Sequence, residues 1–434
     1  MSQPPDVFNG GEIVLLPGVL NVLSRVLDGA RDHMAAALRV LLFAGLAVGL
    51  AGCSSNMGSL FGGSGSSSRQ AQPAPGAVNS QAANINQQGV KVGLLLPLSS
   101  GGDSARVAKA MKQAAELAML DSGSPGIVLV TKDTQGSASG ARQAAQAALN
   151  EGAQLILGPL FSSSVQAVAP VARQQSVPVI AFSSVSSVAD AGVYLMSFPP
   201  EQEVASVTRY AIAQGLRNIA ALVPQSQYGN TVERALHDTA RANGGRIVAL
   251  ERFARNQQSV AEPAKRVASV VSDQSRNVQA LMIAEGGTLL RAIGATLNDA
   301  GVNSGSVKTL GTGLWDDQTV RTVPIAINGW YAGVSPNLVS RFDQKYAATY
   351  GGSPPRLASL AYDAVSMAIA MERSGGGSFS SSQITNSQGF QGMNGLFRFR
   401  TDGRIERGLA ILEVTPSGPR VVQPAPSRFS GTGF

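Results

Sequence analysis

The chain has one cysteine and two histidines in 434 residues, with only 5% aromatic and 14% charged side chains. A single thiol excludes a disulfide framework and any metal site built from several cysteines. Of the histidines, His33 falls in a segment expected to be removed. His237 falls on a predicted helix with Glu233 and Arg241 one turn to either side, the pattern of a solvated face. No Gly-x-Ser-x-Gly elbow, metal-spaced histidine pair or phosphate loop occurs, so an enzyme is the least supported class and no cofactor or metal is expected. Nor is there a Lys/Arg-rich block with interleaved aromatics, which argues against a nucleic-acid partner.

What is abundant is small and apolar. Hydrophobic residues make up 44% of the chain and there are 49 glycines, a globular rather than a disordered composition. The length exceeds what one core serves, so two lobes with appendages are expected. The net charge is +7, rising to +8 once the three basic and four acidic residues before Cys53 are removed. That charge is spread along the sequence and fits weak attraction to an anionic envelope surface.

Residues 40–50 form an apolar run behind Arg39, the length of a signal-peptide core and too short to span a bilayer. The run ends in Leu50-Ala51-Gly52-Cys53, which is similar to the bacterial lipobox. That resemblance implies cleavage before Cys53 and a lipid anchor on its thiol, hence a membrane partner through the anchor. Ser54, rather than an aspartate, follows, and by the enterobacterial sorting rule this points to the outer membrane. Since Met34 through Arg39 already makes a suitable charged start, Met34 is the expected first residue and residues 1–33 a misassigned extension. Residues 54–88 are Ser, Gly, Gln, Ala and Pro with almost no charge, a flexible tether.

The folded part is organised around Leu155-Ile156-Leu157-Gly158-Pro159, followed by Leu160, Phe161 and the serines 162, 163 and 164. An apolar run this short, closed by Gly-Pro, reads as a buried strand. The serines are natural N-caps for the alanine-rich helix behind them. In open parallel sheets the crevice beyond the strand carboxyl ends holds ligands, and a helix N-terminus there favours an anionic group. Capping alone is the simpler reading of these serines.

Strand and helix signals alternate around this stretch. Strands are expected at residues 91–98, 127–131 and 177–182, the last running into a second hydroxyl-rich turn at Ser183 and Ser184. A helix at 104–121 carries Val107, Met111, Ala114 and Ala118 on one face. After Pro199-Pro200 the pattern restarts, with strands at 218–223, 246–250, 278–283 and 307–310 separated by helical segments. The expectation is an α/β protein with two doubly wound parallel-sheet lobes and a hinge. Residues 330–334 look like a crossing back to the first lobe, followed by helices at 338–350 and 359–372. Near the end, residues 396–400 turn at Thr401-Asp402-Gly403-Arg404 and are expected to return through 411–414.

Taken in order, Lys91 to Pro97, Gly158 to Ser164, Pro178 to Ser184, Gln227-Tyr228-Gly229-Asn230 and the hairpin at 395–408 resemble the type 1 periplasmic binding proteins. The nearest well-known branch binds leucine, isoleucine and valine. Gly93 through Ser99 also resembles the penicillin-binding protein activator lipoproteins. The resemblance implies that Ser162, Ser163, Ser164, Ser183 and Ser184 hold a ligand carboxylate and that Tyr228 closes over it. It departs from the family in two places. The hydroxyl that helps hold a ligand ammonium falls near Val185, and the second-lobe acid falls within residues 311–314, which contain no carboxylate. Asp316 or Asp317, and more weakly Glu285, are the candidate substitutes.

The implied division is a signal peptide with extension at 1–52 and a lipidated tether at 53–89. Lobe 1 is expected at 90–203 and 334–390, lobe 2 at 204–333 and 391–415, and a loose tail at 416–434. Two functions follow. One is an envelope-anchored, periplasm-facing, non-enzymatic regulator whose partner is a peptidoglycan synthase; the departures from the family favour it. The other is a receptor that delivers a small polar or anionic ligand, amino-acid-like, to an ABC importer permease.

Overall fold

The computed structural model describes residues 89–123, 125–375 and 379–429. Cys53, the apolar run before it, the tether and Met34 lie outside the described residues.

The first sheet is built from short apolar runs: β1 (Val90–Leu96), β2 (Ile127–Asp133), β3 (Leu155–Leu157), β4 (Val179–Ala181) and β5 (Val193–Leu195). They are parallel, in the order β2-β1-β3-β4-β5. The period of two along β1 sorts its side chains into two layers. Val92, Leu94 and Leu96 pack with Met111, Ala114 and Ala118 of α1 (Gly102–Ser122). Leu95 packs on the other face with Ala141, Ala145 and Ala148 of α2 (Ala138–Asn150) and Val165 and Val168 of α3 (Ser162–Gln174). Small residues on these helices let them lie close to the sheet.

The second lobe repeats the scheme. Helices α4 (Pro200–Ala213) and α5 (Gln227–Ala242) cover one face of the sheet. Helices α6 (Ala261–Ser272) and α7 (Gly287–Asp299) cover the other. Its strands are β6 (Asn218–Pro224), β7 (Arg246–Phe253), β8 (Ala280–Ile283), β9 (Lys308–Leu310) and β10 (Trp330–Gly333), with two later additions. The chain then returns through α8 (Pro336–Tyr350) and α9 (Ala358–Gly375), whose Phe342, Tyr346, Leu360 and Met367 join the first-lobe core.

The last stretch differs from the sequence reading. After a single-turn helix, α10 (Ser381–Ile384), come β11 (Phe390–Gly392), β12 (Gly395–Phe399) and β13 (Ile405–Arg407), which form a separate antiparallel sheet. The hairpin therefore returns through 405–407, not 411–414. Phe397, Phe399 and Ile405 bury themselves in the first-lobe core. Residues 411–413 belong instead to β14 (Ala410–Glu413), antiparallel to β10 in the second sheet. The tail is not wholly loose either: β15 (Arg420–Gln423) pairs with β14, completing the order β15-β14-β10-β9-β8-β6-β7. Its exposed polar residues suit an edge strand.

Polar groups are buried where the chain passes between lobes. Asp363 on α9 accepts from the N–H groups of Met393 (2.6 Å) and Asn394 (3.2 Å) and from the Asn394 amide (2.7 Å). Arg356 donates to Asn394 at 2.7 Å, and Arg407 donates to the Ser197 carbonyl at 2.6 Å. Both guanidinium groups stack on Phe198, at 4.4 and 4.6 Å from the ring centre. These contacts fix the crossing segments from which the two lobes are hung.

Candidate functional site

The carboxyl ends of the strands in each sheet supply the loops that carry the predicted site residues. On the first lobe, β3 runs into Gly158, whose φ of 99° brings its α-carbon so near the Leu95 carbonyl that a Cβ would lie 2.2 Å from that oxygen. Only glycine can make this turn. It delivers Phe161 to the N-cap position of α3, where no side chain caps the helix. The serines are thus not caps. Ser163 is exposed and Ser162 half-buried, and neither hydroxyl has a hydrogen-bond partner among the described residues. The other serines are used internally. Ser164 is fully buried and donates to the Ser137 carbonyl at 3.4 Å; Ser183 is 4% exposed and accepts from Val185 N–H at 3.2 Å. Ser184 is exposed.

The second lobe presents Tyr228 in the first turn of α5, after β6. Its hydroxyl lies 2.7 Å from that of Thr312, in the loop after β9. Burial pushes the phenol pKa up, so the group stays neutral and can donate or accept. After β8, Glu285 is 3% exposed and held by the Arg255 guanidinium through bonds of 2.9 and 3.1 Å. Trp315, buried beneath, donates its indole N–H to the Glu285 carbonyl at 3.0 Å.

The carboxylates named from the sequence are each engaged within the chain. Glu285 is already paired with Arg255. Asp316 faces Arg356 at 3.5 Å and accepts from Tyr331 at 3.4 Å. Asp317 caps a short turn through Thr319 at 2.7 Å. A further carboxylate, Glu203 of α4, meets the same loop. Its carboxylate accepts from the Gly313 N–H at 2.8 Å, and a Cβ on Gly313 would lie 2.3 Å from its oxygen. An acid from another element thus fills the space that a glycine leaves. Part of the Glu203 side chain is exposed, but its carboxyl is enclosed, and burial raises its pKa to about 8 against the pull of the Gly313 N–H. The cation that acts on it, Arg356, is paired with Asp316. The sequence signal was slight: an acid in the first turn of a helix usually answers the helix dipole.

The first lobe therefore presents hydroxyls and helix-terminal amides at its strand ends, and the second an acid and a phenol. No hydrogen bond joins the two sets among the described residues. Among the same residues no cluster of three or more metal-ligating side chains occurs, and no helix is long and apolar enough to cross a membrane. His237 is exposed, and Glu233 pairs with Arg252.

The sequence profile of the periplasmic binding protein family matches residues 89–419. Among solved structures, an ABC transporter substrate-binding protein from Sphaerobacter thermophilus has a TM-score of 0.65 at 17% identity, covering 78% of this chain and 98% of that one. A branched chain amino acid ABC transporter periplasmic ligand-binding protein from Burkholderia xenovorans gives 0.62 at 18%, covering 77% and 94%. A solute binding protein of an ABC transporter from Rhodopseudomonas palustris, in complex with 3,4-dihydroxy benzoic acid, gives 0.58 at 20%, covering 79% and 98%. The penicillin-binding protein activator LpoA of Vibrio cholerae is 28% identical over 106 residues, which span 24% of this chain and 18% of the activator. At these identities the solved structures speak for the fold alone. With the family profile spanning both lobes, the chain belongs to the periplasmic binding proteins, in their type 1 form.

Proposed function

We propose that the protein is a solute-binding receptor whose lobes close on a small zwitterion, an amino acid or an amine-bearing acid of similar size, and present it to an ABC importer. The observation that carries this reading is Glu203, an enclosed carboxylate without an ion-pair partner beside Tyr228 and Thr312. A ligand ammonium would supply the missing counter-charge. The ligand carboxylate would meet the uncapped start of α3 and the hydroxyls of Ser162 and Ser163, with Ser183 and Ser184 at its margin. Tyr228 would cover the ligand on closure, and affinity for the closed form drives the shift. The reading is non-enzymatic. Lipidation of Cys53, which lies outside the described residues, would keep such a receptor at the membrane, with the outer membrane the expected one.

Isothermal titration of the purified protein with L-amino acids, dipeptides, benzoate and 3,4-dihydroxybenzoate tests it. Saturable binding of an amine-bearing acid is expected, weakened roughly tenfold or more by Glu203→Gln, since a charged hydrogen bond contributes about 1.5–3 kcal/mol. Equal affinity for acids lacking an amine, or no effect of Glu203→Gln, would overturn it. A second reading, a penicillin-binding protein activator-like regulator, draws on the 106-residue similarity. Ligand-independent capture of a peptidoglycan synthase, with no binding across the titration panel, would put that reading first.

A further inference from the structure

A cavity of about 190 Å³ opens beside the crossing segments, and neither Glu203 nor Tyr228 lines it. Ser184 and Ser197 of the first lobe, Glu201 and Arg209 on α4, and Arg400 and Arg407 around the β12–β13 turn line it. Two of its wall residues hold buried atoms without any hydrogen-bond partner: Arg407 Nη1 and Glu201 Oε2. Arg407 is only 5% exposed, and its other nitrogens are occupied, Nε by the Ser197 carbonyl at 2.6 Å and Nη2 by Met196 Sδ at 3.5 Å. Leaving a charged donor and a charged acceptor unmet is costly, on the order of 1–3 kcal/mol for each. Burial lowers the Arg407 pKa only to about 10, so it remains a cation at neutral pH.

Charge and size narrow the occupant. Glu406 is bound by Arg398 at 2.7 Å, and Asp402 is shared by Arg404 at 2.6 Å and Arg400 at 3.1 Å. The lining itself holds Arg209, Arg400, Arg404 and Arg407 against Glu201 and Glu406, a balance that favours an anion. The volume is below the roughly 300 Å³ at which drug-sized pockets begin, and fits an acid of three or four carbons. We infer that this cavity is a second ligand site that takes a small hydroxy- or amino-carboxylate. The carboxylate accepts from Arg407 Nη1–H, and the hydroxyl or ammonium donates to Glu201 Oε2. Because the walls come from both lobes and from the segments between them, an occupant would tether the hinge.

L-Lactate is the probe, since it lacks the ammonium that the cleft is proposed to need, and propionate is its control without a hydroxyl. In calorimetric titration of the full chain, lactate is expected to bind saturably and propionate roughly tenfold more weakly. Ala205→Trp, which fills the cavity from α4, should abolish lactate binding, and Glu201→Ala should erase the preference for lactate over propionate. Should Ala205→Trp fail to fold, Glu201→Ala decides. Absence of lactate binding, equal binding of propionate, or an unchanged preference for lactate in Glu201→Ala would overturn the assignment.

Discussion

On the first wall of the cleft α3 begins behind Phe161, which has no group to cap a helix; on the second, α5 begins behind Ser226, whose hydroxyl accepts from Gly229 N–H at 3.1 Å. Both helices follow a strand after a short connection. The capped helix satisfies part of its positive end internally, and its wall carries acids, Glu203 and Glu285. The uncapped helix leaves its first amides and the hydroxyls of Ser162 and Ser163 without a side-chain partner among the described residues. The two helix starts thus differ in whether a side chain already meets their first amides.

The largest way to break this contrast is to remove the support of the acidic wall. Trp315→Ala would empty the space against Gly311 and Gly329 and drop the bond to Glu285, costing about 3–5 kcal/mol. Urea denaturation should show that loss; a change below about 1 kcal/mol would mean that the wall stands without the indole.

Next comes the charge on Glu203. Its carboxyl stays protonated in the folded chain up to a pH of about 8, whereas in the unfolded chain it ionises near 4.5. Between those values the unfolded state binds fewer protons, so stability falls as pH rises, by up to about 1.4 kcal/mol per pH unit from this group. Glu203→Gln should flatten that slope in thermal melts from pH 5 to 8. An ammonium ligand would pull the pKa down, so binding near pH 7 should release a proton, seen as a buffer-dependent heat. A buffer-independent heat would place the ligand's cation elsewhere.

Much of this was legible in advance. Continuous apolar runs such as Leu94-Leu95-Leu96 and Leu155-Ile156-Leu157 can be satisfied only by burial on both faces, so the strands and the parallel order followed. The hairpin partner was misread because Ile405-Glu406-Arg407 looks too charged to be buried. It is buried because Arg398 neutralises Glu406 and Arg407 stacks on Phe198. Glu203 was missed for a related reason. Its position in the cleft depends on a side chain that Gly313 lacks, 110 residues further along. Local patterns carry no record of such a vacancy.

A smaller effect belongs to Tyr228→Phe, which deletes the 2.7 Å bond to Thr312 and should cost about 1 kcal/mol in denaturant melts. The finest test sets the two helix starts against each other. Ser226→Ala removes a working cap and should lower stability by about 1 kcal/mol while leaving ligand affinity within about twofold. Ser163→Ala removes an exposed hydroxyl that supports nothing in the unliganded chain, so stability should change by less than about 0.5 kcal/mol. Its cost should appear instead in affinity, roughly fivefold for one neutral hydrogen bond. If both substitutions acted on stability alone, the serines at the start of α3 would be structural after all, and the proposed carboxylate site would reduce to its backbone amides.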